Sequence, residues 1–262
     1  MHYNTIQVGI DPCGVATLTL NRPDTSNAFN AEMIREMTDA IAQCATDTAV
    51  RALILRSSGR HFSAGADINW MRSMAGMSLA ENRADAMCLS NLMRSLHEFP
   101  APTIARITGA SYGGALGLIA CCDMAFASAD ATFCLSEVRL GLVPAVISPY
   151  VIRAIGERAA HRYFLTGEIV DAAQAEKIGL VSSVCNPEAL DDVIHGICES
   201  VLKNGPVATQ EAKRLLQRVT GHTLNDELRS HTVDLISRLR VSGEGQEGLN
   251  SFLEKRKPDW SK

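Results

Sequence analysis

The sequence lacks the features that mark several large classes of protein. Its 262 residues carry a formal net charge of −4, so there is no basic excess to hold nucleic acid or an acidic membrane surface. No apolar run approaches the roughly 20 residues that span a bilayer, and residues 1–9 lack the basic and apolar regions of a signal peptide. We therefore expect a cytoplasmic protein that binds neither nucleic acid nor membrane.

Sequence motifs for metals and nicotinamide cofactors are also missing. None of the eight cysteines forms a CxxC or a Cys/His cluster with zinc spacing, and the seven histidines form no HExxH. No GxGxxG opens a βαβ unit, so we expect neither a metal nor a nicotinamide cofactor. Most cysteines stand in apolar segments and are predicted to be reduced core residues. The eight cysteines of the chain are Cys13, Cys44, Cys88, Cys121, Cys122, Cys134, Cys185 and Cys198.

The apolar content, 46% of residues, is enough to bury one substantial core. In the first two-thirds short strands alternate with helices, which predicts an α/β architecture. After about Asp171 strand signals fade, and the C-terminal third is predicted to be a helical layer. Predicted strands are 6–10, 15–20, 52–56, 104–107, 124–127 and 132–134, and predicted helices are 30–45, 79–99, 113–122, 187–203, 206–220, 224–239 and 244–255.

Two glycine-rich stretches, His61–Ile68 and Gly109–Gly117, are the most informative part of the chain. Each follows an apolar run that is predicted to be a strand, and small side chains there leave backbone N–H groups accessible. The second stretch also opens an apolar helix, whose first N–H groups lack partners and whose dipole favours negative charge. We interpret the two stretches as halves of one oxyanion hole; the simpler alternative is a pair of tight turns.

Further segments complete one pattern in chain order: Leu20–Pro23, Asn27–Asn30, Cys122–Asp123, Ala131–Val138, Gly141–Pro144 and Glu247–Pro258. With the glycine stretches, they resemble the crotonase (enoyl-CoA hydratase/isomerase) superfamily. The resemblance implies an α/β crotonase fold, a spiral of ββα turns over residues 1–200 with a C-terminal helical trimerisation or lid region over 201–262. It also implies assembly as a homotrimer or homohexamer.

The resemblance implies an acyl-CoA thioester substrate, with CoA as part of the substrate and no separate cofactor. The thioester oxygen is expected to accept hydrogen bonds from the backbone N–H groups of Ala64 and Gly114, which stabilise an enolate. The residues expected to hold CoA are Arg22, Ala28, Ala64, Gly65, Ala66, Asp67, Ile68, Gly114, Lys255 and Lys257.

The proton-transfer residues depart from the family pattern at one position. Hydratases of the family use two glutamates; the second corresponds to Glu137, but Gly117 stands where the first should be. Glu137 is therefore predicted to be the single acid–base group. One glutamate is also what Δ3-Δ2-enoyl-CoA isomerases carry, so an isomerase and a general enoyl-CoA hydratase remain alternatives.

Local sequence narrows the resemblance to bacterial methylglutaconyl-CoA hydratases and the related isohexenylglutaconyl-CoA enzymes. The similar segments are Cys121–Ala125, Ala131–Leu142 and Gly245–Gly248. We therefore expect hydration of a branched, carboxylated enoyl-CoA, as in leucine or acyclic terpene breakdown. A distal carboxylate requires a cation, and a flexible apolar wall suits the acyl chain. Candidates for these two roles are Arg72, Arg83 and Arg94, and Trp70, Met71, Met74 and Met77.

Two readings come from other functional classes. The segment Gly109–Gly113 fits the G-x-S-x-G nucleophile elbow, which would make Ser111 the nucleophile of a serine hydrolase. The missing first glutamate also fits a non-catalytic acyl-CoA-binding protein.

Overall fold

The computed structural model describes residues 2–261, which form an α/β fold with nine strands and ten α-helices. The strands are β1 (Ile6–Ile10), β2 (Val15–Leu20), β3 (Ala52–Ser57), β4 (Thr103–Ile107), β5 (Ala110–Tyr112), β6 (Met124–Ser128), β7 (Thr132–Cys134), β8 (Val170–Asp171) and β9 (Ser183–Cys185). The helices are α1 (Ala31–Thr46), α2 (Ile68–Met74), α3 (Leu79–His97), α4 (Gly114–Cys121), α5 (Ser148–Thr166), α6 (Ala172–Lys177), α7 (Leu190–Leu202), α8 (Pro206–Val219), α9 (Asp226–Arg240) and α10 (Gly243–Leu253).

Two sheets organise the strands. The larger has the order β1-β2-β3-β4-β6-β9, in which β1 is antiparallel to β2 and every other pair is parallel. The smaller has the order β5-β7-β8, with β5 parallel to β7. Parallel strands need helical crossovers, so helices cover the larger sheet on both faces. Leu53 and Leu55 face the main core, whereas Ala52 packs with Ile104 and Leu190 under α7.

The first helix shows how the sequence sets an element boundary. The side chain of Asn30 accepts a hydrogen bond from the N–H of Met33 at 2.8 Å, so it caps α1 as predicted. Along the helix Met33, Met37 and Ile41 recur at the spacing of one face, and all three are buried. Local chemistry and burial therefore agree on this element.

The predicted strands and the α/β class are confirmed, with strand ends shifted by no more than one residue. The expectation that strands end near Asp171 is wrong for β9, which pairs in parallel with β6. A three-residue edge strand is too short to show a hydrophobic period, and its partner is far away in the sequence. Helices α2, α5 and α6 were also absent from the predicted set.

The C-terminal helices are tied to the core by buried charge. Lys213 of α8 is buried, and its Nζ lies 2.7 Å from Oδ2 of Asp123 and donates to the carbonyl of Ala101 at 3.1 Å. The expected division between residues 200 and 201 falls in the last turn of α7, which packs against the larger sheet. The two-part description of the chain therefore remains a prediction, as does trimerisation.

All eight cysteines are free thiols, but their burial varies. Cys44, Cys121, Cys134 and Cys198 are buried as expected. Cys13 and Cys88 are exposed, so the core assignment is wrong for these two. Within the described part of the chain, no helix combines the length and the apolarity needed to cross a bilayer.

Candidate active site

The two glycine stretches run side by side in parallel. Ser63 and Ser111 form an isolated parallel bridge, in which the N–H of Ser63 donates to the carbonyl of Ala110 at 3.1 Å. The N–H of Tyr112 in turn donates to the carbonyl of Ser63 at 2.9 Å. Segments that are distant in the sequence are therefore hydrogen-bonded neighbours.

Glycine is required where these segments touch. Gly65 has φ +94°, and a Cβ there would lie 3.1 Å from the carbonyl oxygen of Tyr112. Gly113 has φ +55°, and its Cβ would lie 3.2 Å from Oε1 of Glu137 and 4.0 Å from Cα of Gly65. Both the backbone conformation and the close approach exclude larger residues. The same distances show that the Glu137 carboxylate lies against Gly113, which itself lies beside Gly65.

The first stretch offers a backbone donor at Ala66. The N–H of Ala64, the expected donor, is already bonded to the carbonyl of Ser26 at 2.9 Å. The carbonyl of Gly65 accepts a hydrogen bond from the N–H of Phe29 at 2.7 Å. Because a trans peptide points its C=O and N–H in opposite directions, the N–H of Ala66 points away from Phe29. Among residues 2–261 it has no acceptor, and Ala66 is exposed, so the geometry moves the expected donor role from Ala64 to Ala66.

The second stretch offers a donor at Gly114, the first residue of α4. The carbonyl of Gly113 accepts the N–H of Leu116 at 3.0 Å and therefore points into the helix. The N–H of Gly114 points the opposite way, out of the helix N-terminus, and has no acceptor between residues 2 and 261. The positive end of the helix dipole favours negative charge at this point. The predicted role of Gly114 is compatible with this arrangement.

Glu137 combines burial with the absence of a partner. Glu137 is the first residue of a 3₁₀ turn over residues 137–140. Its Oε2 is buried and has no hydrogen-bond partner in the described chain. Burial raises the pKa of the Glu137 carboxyl above its usual value, and a hydrogen bond to its own backbone opposes this shift. A carboxyl with a raised pKa is a stronger base than an ordinary glutamate and can return the proton that it accepts.

The position of the missing glutamate is filled by another side chain. Gly117 lies buried in the middle of α4, and a Cβ there would overlap Cγ2 of Ile147 and lie 2.8 Å from its Cβ. The sulfur of Met93 would be 3.1 Å away. A longer side chain at residue 117 has no room in this packing. Sequence reasoning identified the departure but missed Ile147, because nothing in the local pattern shows that residues 117 and 147 touch.

The expected CoA-binding residues fall into two groups. Ala28 and Asp67 stand next to a second parallel bridge, between Phe29 and Ala66, which joins the segment around Ala28 to the first glycine stretch. Both terminal nitrogens of Arg22 are used within the chain: Nη1 donates to the carbonyl of Ala28 at 2.5 Å and Nη2 to Oδ2 of Asp67 at 2.9 Å. Ile68 begins α2 and is exposed. The tail residues Lys255 and Lys257 are exposed beyond α10, and their phosphate-binding role remains a prediction.

The segment expected to line the acyl pocket carries exposed cations. Among the described residues, Arg72, Arg83 and Arg94 are exposed and form no ion pair. Indole Nε1 of Trp70 donates to Oδ1 of Asp85 at 3.3 Å and so connects α2 to α3. Met71, Met74 and Met77 are half-buried, and their role as an adaptable apolar wall remains a prediction.

The nucleophile role considered for Ser111 finds no support. Ser111 is fully buried within β5, and its Oγ has no hydrogen-bond partner in the described part of the chain. A serine nucleophile requires a general base within hydrogen-bond reach and access to substrate. Neither condition is met, so the hydrolase alternative is set aside.

Comparisons with known proteins identify the family of the chain. Residues 11–262 match the family described as enoyl-CoA hydratase/isomerase. The chain is similar to an enoyl-CoA hydratase from Shewanella pealeana of known structure, with 45% identity, a TM-score of 0.95 and 98% and 96% of the two chains covered. It is 32% identical to the 2,3-dehydroadipyl-CoA hydratase of Escherichia coli strain K12, over 94% of each chain. It is also 32% identical to the crotonyl-CoA hydratase of Syntrophomonas wolfei, again over 94% of each.

Proposed function

The chain belongs to the enoyl-CoA hydratase/isomerase family and is an enzyme of the hydratase type, and we propose that it hydrates a branched enoyl-CoA that carries a distal carboxylate. The leading candidate substrate is 3-methylglutaconyl-CoA, followed by isohexenylglutaconyl-CoA. The observation that supports the proposal is that two backbone N–H groups without acceptors among residues 2–261 stand on adjoining glycine stretches, with the carboxylate of Glu137 against Gly113.

The two N–H groups act on the thioester oxygen. When water adds to Cβ, negative charge moves onto this oxygen as an enolate. Donors that are already oriented stabilise that charge without reorganisation, and the loss of one such donor typically costs on the order of 3 kcal/mol. In this proposal the donors are Ala66 and Gly114.

Glu137 moves the proton in both directions. Its carboxylate accepts a proton from water as the oxygen attacks Cβ, and the resulting carboxylic acid returns a proton to Cα of the enolate. The carboxylate is regenerated, and the product has gained one water. A single group with a raised pKa suffices for this cycle.

A relative and the local charge support a carboxylated acyl group. The E. coli relative is named for dehydroadipyl-CoA, an acyl group with a second carboxylate. In this chain Arg72, Arg83 and Arg94 are exposed and form no ion pair among residues 2–261, and Arg72 belongs to α2, which begins at the end of the first glycine stretch. A guanidinium pairs with a carboxylate through two parallel hydrogen bonds, which would select for such a substrate.

Δ3-Δ2-enoyl-CoA isomerisation is the second candidate, because the filled position at Gly117 leaves one carboxylate, and one base is enough to move a proton from C2 to C4. A general enoyl-CoA hydratase without preference for a carboxylate is a third. A non-catalytic acyl-CoA-binding role is disfavoured because an unpaired buried carboxyl is costly to keep.

Paired assays separate these candidates. We expect loss of the conjugated thioester absorbance with 3-methylglutaconyl-CoA to be faster than with crotonyl-CoA, and a Glu137→Gln variant to lose roughly 10²–10⁴-fold in kcat. The exposed Glu188→Gln variant is the control. Equal rates on both esters would leave a general hydratase, gain of absorbance with a 3-enoyl-CoA alone would indicate an isomerase, and binding of all esters without turnover would contradict an enzymatic role.

A further inference from the structure

The first oxyanion donor stands at a junction between two loops. The bridge between Phe29 and Ala66 is held by two hydrogen bonds, from the N–H of Phe29 to the carbonyl of Gly65 at 2.7 Å and from the N–H of Asp67 to the carbonyl of Phe29 at 2.8 Å. The ring of Phe29 also packs on Gly114, whose Cβ would lie 3.2 Å from Cε2. The direction of the Ala66 N–H therefore depends on how these two loops are held together.

Arg22 spans the two loops beside this bridge. One terminal nitrogen donates to the carbonyl of Ala28, the residue before Phe29, and the other to the carboxylate of Asp67, the residue after Ala66. The two side chains of the ion pair are 20% and 11% exposed. A partly buried, charge-assisted pair of this kind is stronger and less screened than a surface pair.

Asp67 connects Arg22 to the N-terminus of α2. Its Oδ1 caps the helix by accepting the N–H groups of Asn69 at 2.8 Å and Trp70 at 3.3 Å, while Oδ2 receives Arg22. Burial alone would raise the pKa of Asp67, but the hydrogen bonds from Arg22 and from the helix hold it below its usual value. Asp67 is therefore held as an anion at the residue that follows the donor.

We propose that Arg22 is a positioning residue that aims the Ala66 N–H at the thioester oxygen, in place of a role in binding a CoA phosphate. The proposal rests on the proposed enolate chemistry, but not on the identity of the acyl group. Arginine suits the task because its planar fork reaches two acceptors at once, whereas lysine has a single nitrogen.

The first test measures separately how Arg22 variants change kcat and KM. With crotonyl-CoA, Arg22→Met is expected to lower kcat by roughly tenfold to a hundredfold, the effect of a small misplacement of a reacting group, and to change KM by less than about threefold. Asp67→Asn keeps a good helix cap but loses the charge, and the double variant should be little worse than either single one, because both break one contact. Arg162→Met, which removes an exposed ion pair with Glu168, is the charge-matched control and should match wild type.

The second test uses substrates without the nucleotide phosphates. If Arg22 acts by positioning, the kcat deficit of Arg22→Met persists with the crotonyl ester of pantetheine. A deficit that is present with CoA esters and vanishes with the pantetheine ester would overturn the proposal and assign Arg22 to a phosphate. Wild-type rates of Arg22→Met on both esters would also overturn it.

A binding readout keeps the test independent of turnover. Acetoacetyl-CoA can ionise to an enolate, and the absorbance of that enolate in the bound ester would report charge stabilisation at the thioester oxygen. Arg22→Met should reduce the enolate fraction while leaving the affinity for free CoA unchanged; an unchanged enolate fraction would contradict the proposal.

If Arg22→Met does not fold, Arg22→Lys, which keeps the charge and one donor, is expected to show the same deficits to a smaller degree. Failure to hydrate 3-methylglutaconyl-CoA would overturn the proposed substrate and leave this test intact.

Discussion

At the scale of single residues, the catalytic proposal depends on the protonation state of Glu137. Burial raises the pKa of its carboxyl, whereas an ordinary glutamate titrates near about 4.3. The carboxylate form must accept the proton of water, so activity is lost as the pH falls through the raised pKa. We predict that kcat/KM falls on the acidic side with a midpoint above that of an ordinary glutamate, measured from about pH 4.5 to 8.

The raised pKa affects folding stability in the opposite direction from activity: stability is favoured at low pH, where the carboxyl is protonated. A carboxyl whose pKa is higher in the folded state favours folding while protonated, and this contribution is lost as the pH rises from the unfolded to the folded pKa. The Glu137→Gln variant should therefore gain stability relative to wild type at neutral pH and lose that advantage in acid. A midpoint at or below the ordinary value, with no such difference in unfolding, would contradict the burial effect.

At the scale of elements, the packing of α4 against the start of α5 leaves no room for a second carboxylate side chain at residue 117. Gly117→Ala is predicted to destabilise the protein by about 1–3 kcal/mol, because the new methyl group overlaps Ile147. Denaturant unfolding measures this change. Gly243→Ala is the control, since no atom lies within 4 Å of its Cβ position and it stands at the first residue of α10.

A companion variant tests the cause. Ile147→Ala in the Gly117→Ala background should recover part of the loss, because it removes the overlapping atoms. If the two effects simply add, the overlap is not the reason for the destabilisation. The same logic predicts that Gly117→Glu alone cannot create a two-glutamate site.

At the scale of the whole molecule, Lys213 connects the C-terminal helices to the sheet core. Lys213→Met is predicted to cost about 2 kcal/mol, less than the 3–5 kcal/mol typical of breaking a fully buried pair, because Asp123 keeps 32% exposure and its bonds to Thr103. Lys203→Met, which removes an exposed pair with Glu199, should change stability by less than about 0.5 kcal/mol. Equal effects of the two variants in thermal or denaturant unfolding would refute the role of Lys213.

The sequence alone was sufficient for the α/β class, most of the elements and the family. These features have local causes: apolar periodicity, the cap at Asn30, glycine where φ is positive, and one glutamate beside two glycine stretches. Short elements such as β9 escaped prediction because long-range pairing holds them.

Only the tertiary structure decided which backbone N–H groups and side chains are free to contact a substrate. Ala64 and Ala66 stand in the same motif, but the N–H of Ala64 is bonded to Ser26, and that of Ala66 has no acceptor among residues 2–261. Likewise Arg22, expected from the resemblance to hold CoA, joins Ala28 to Asp67. Ile147 fills the space beside Gly117. Each of these facts depends on contacts between distant segments, and the packing of those segments, which no local pattern contains, determines where each hydrogen bond and each side chain goes.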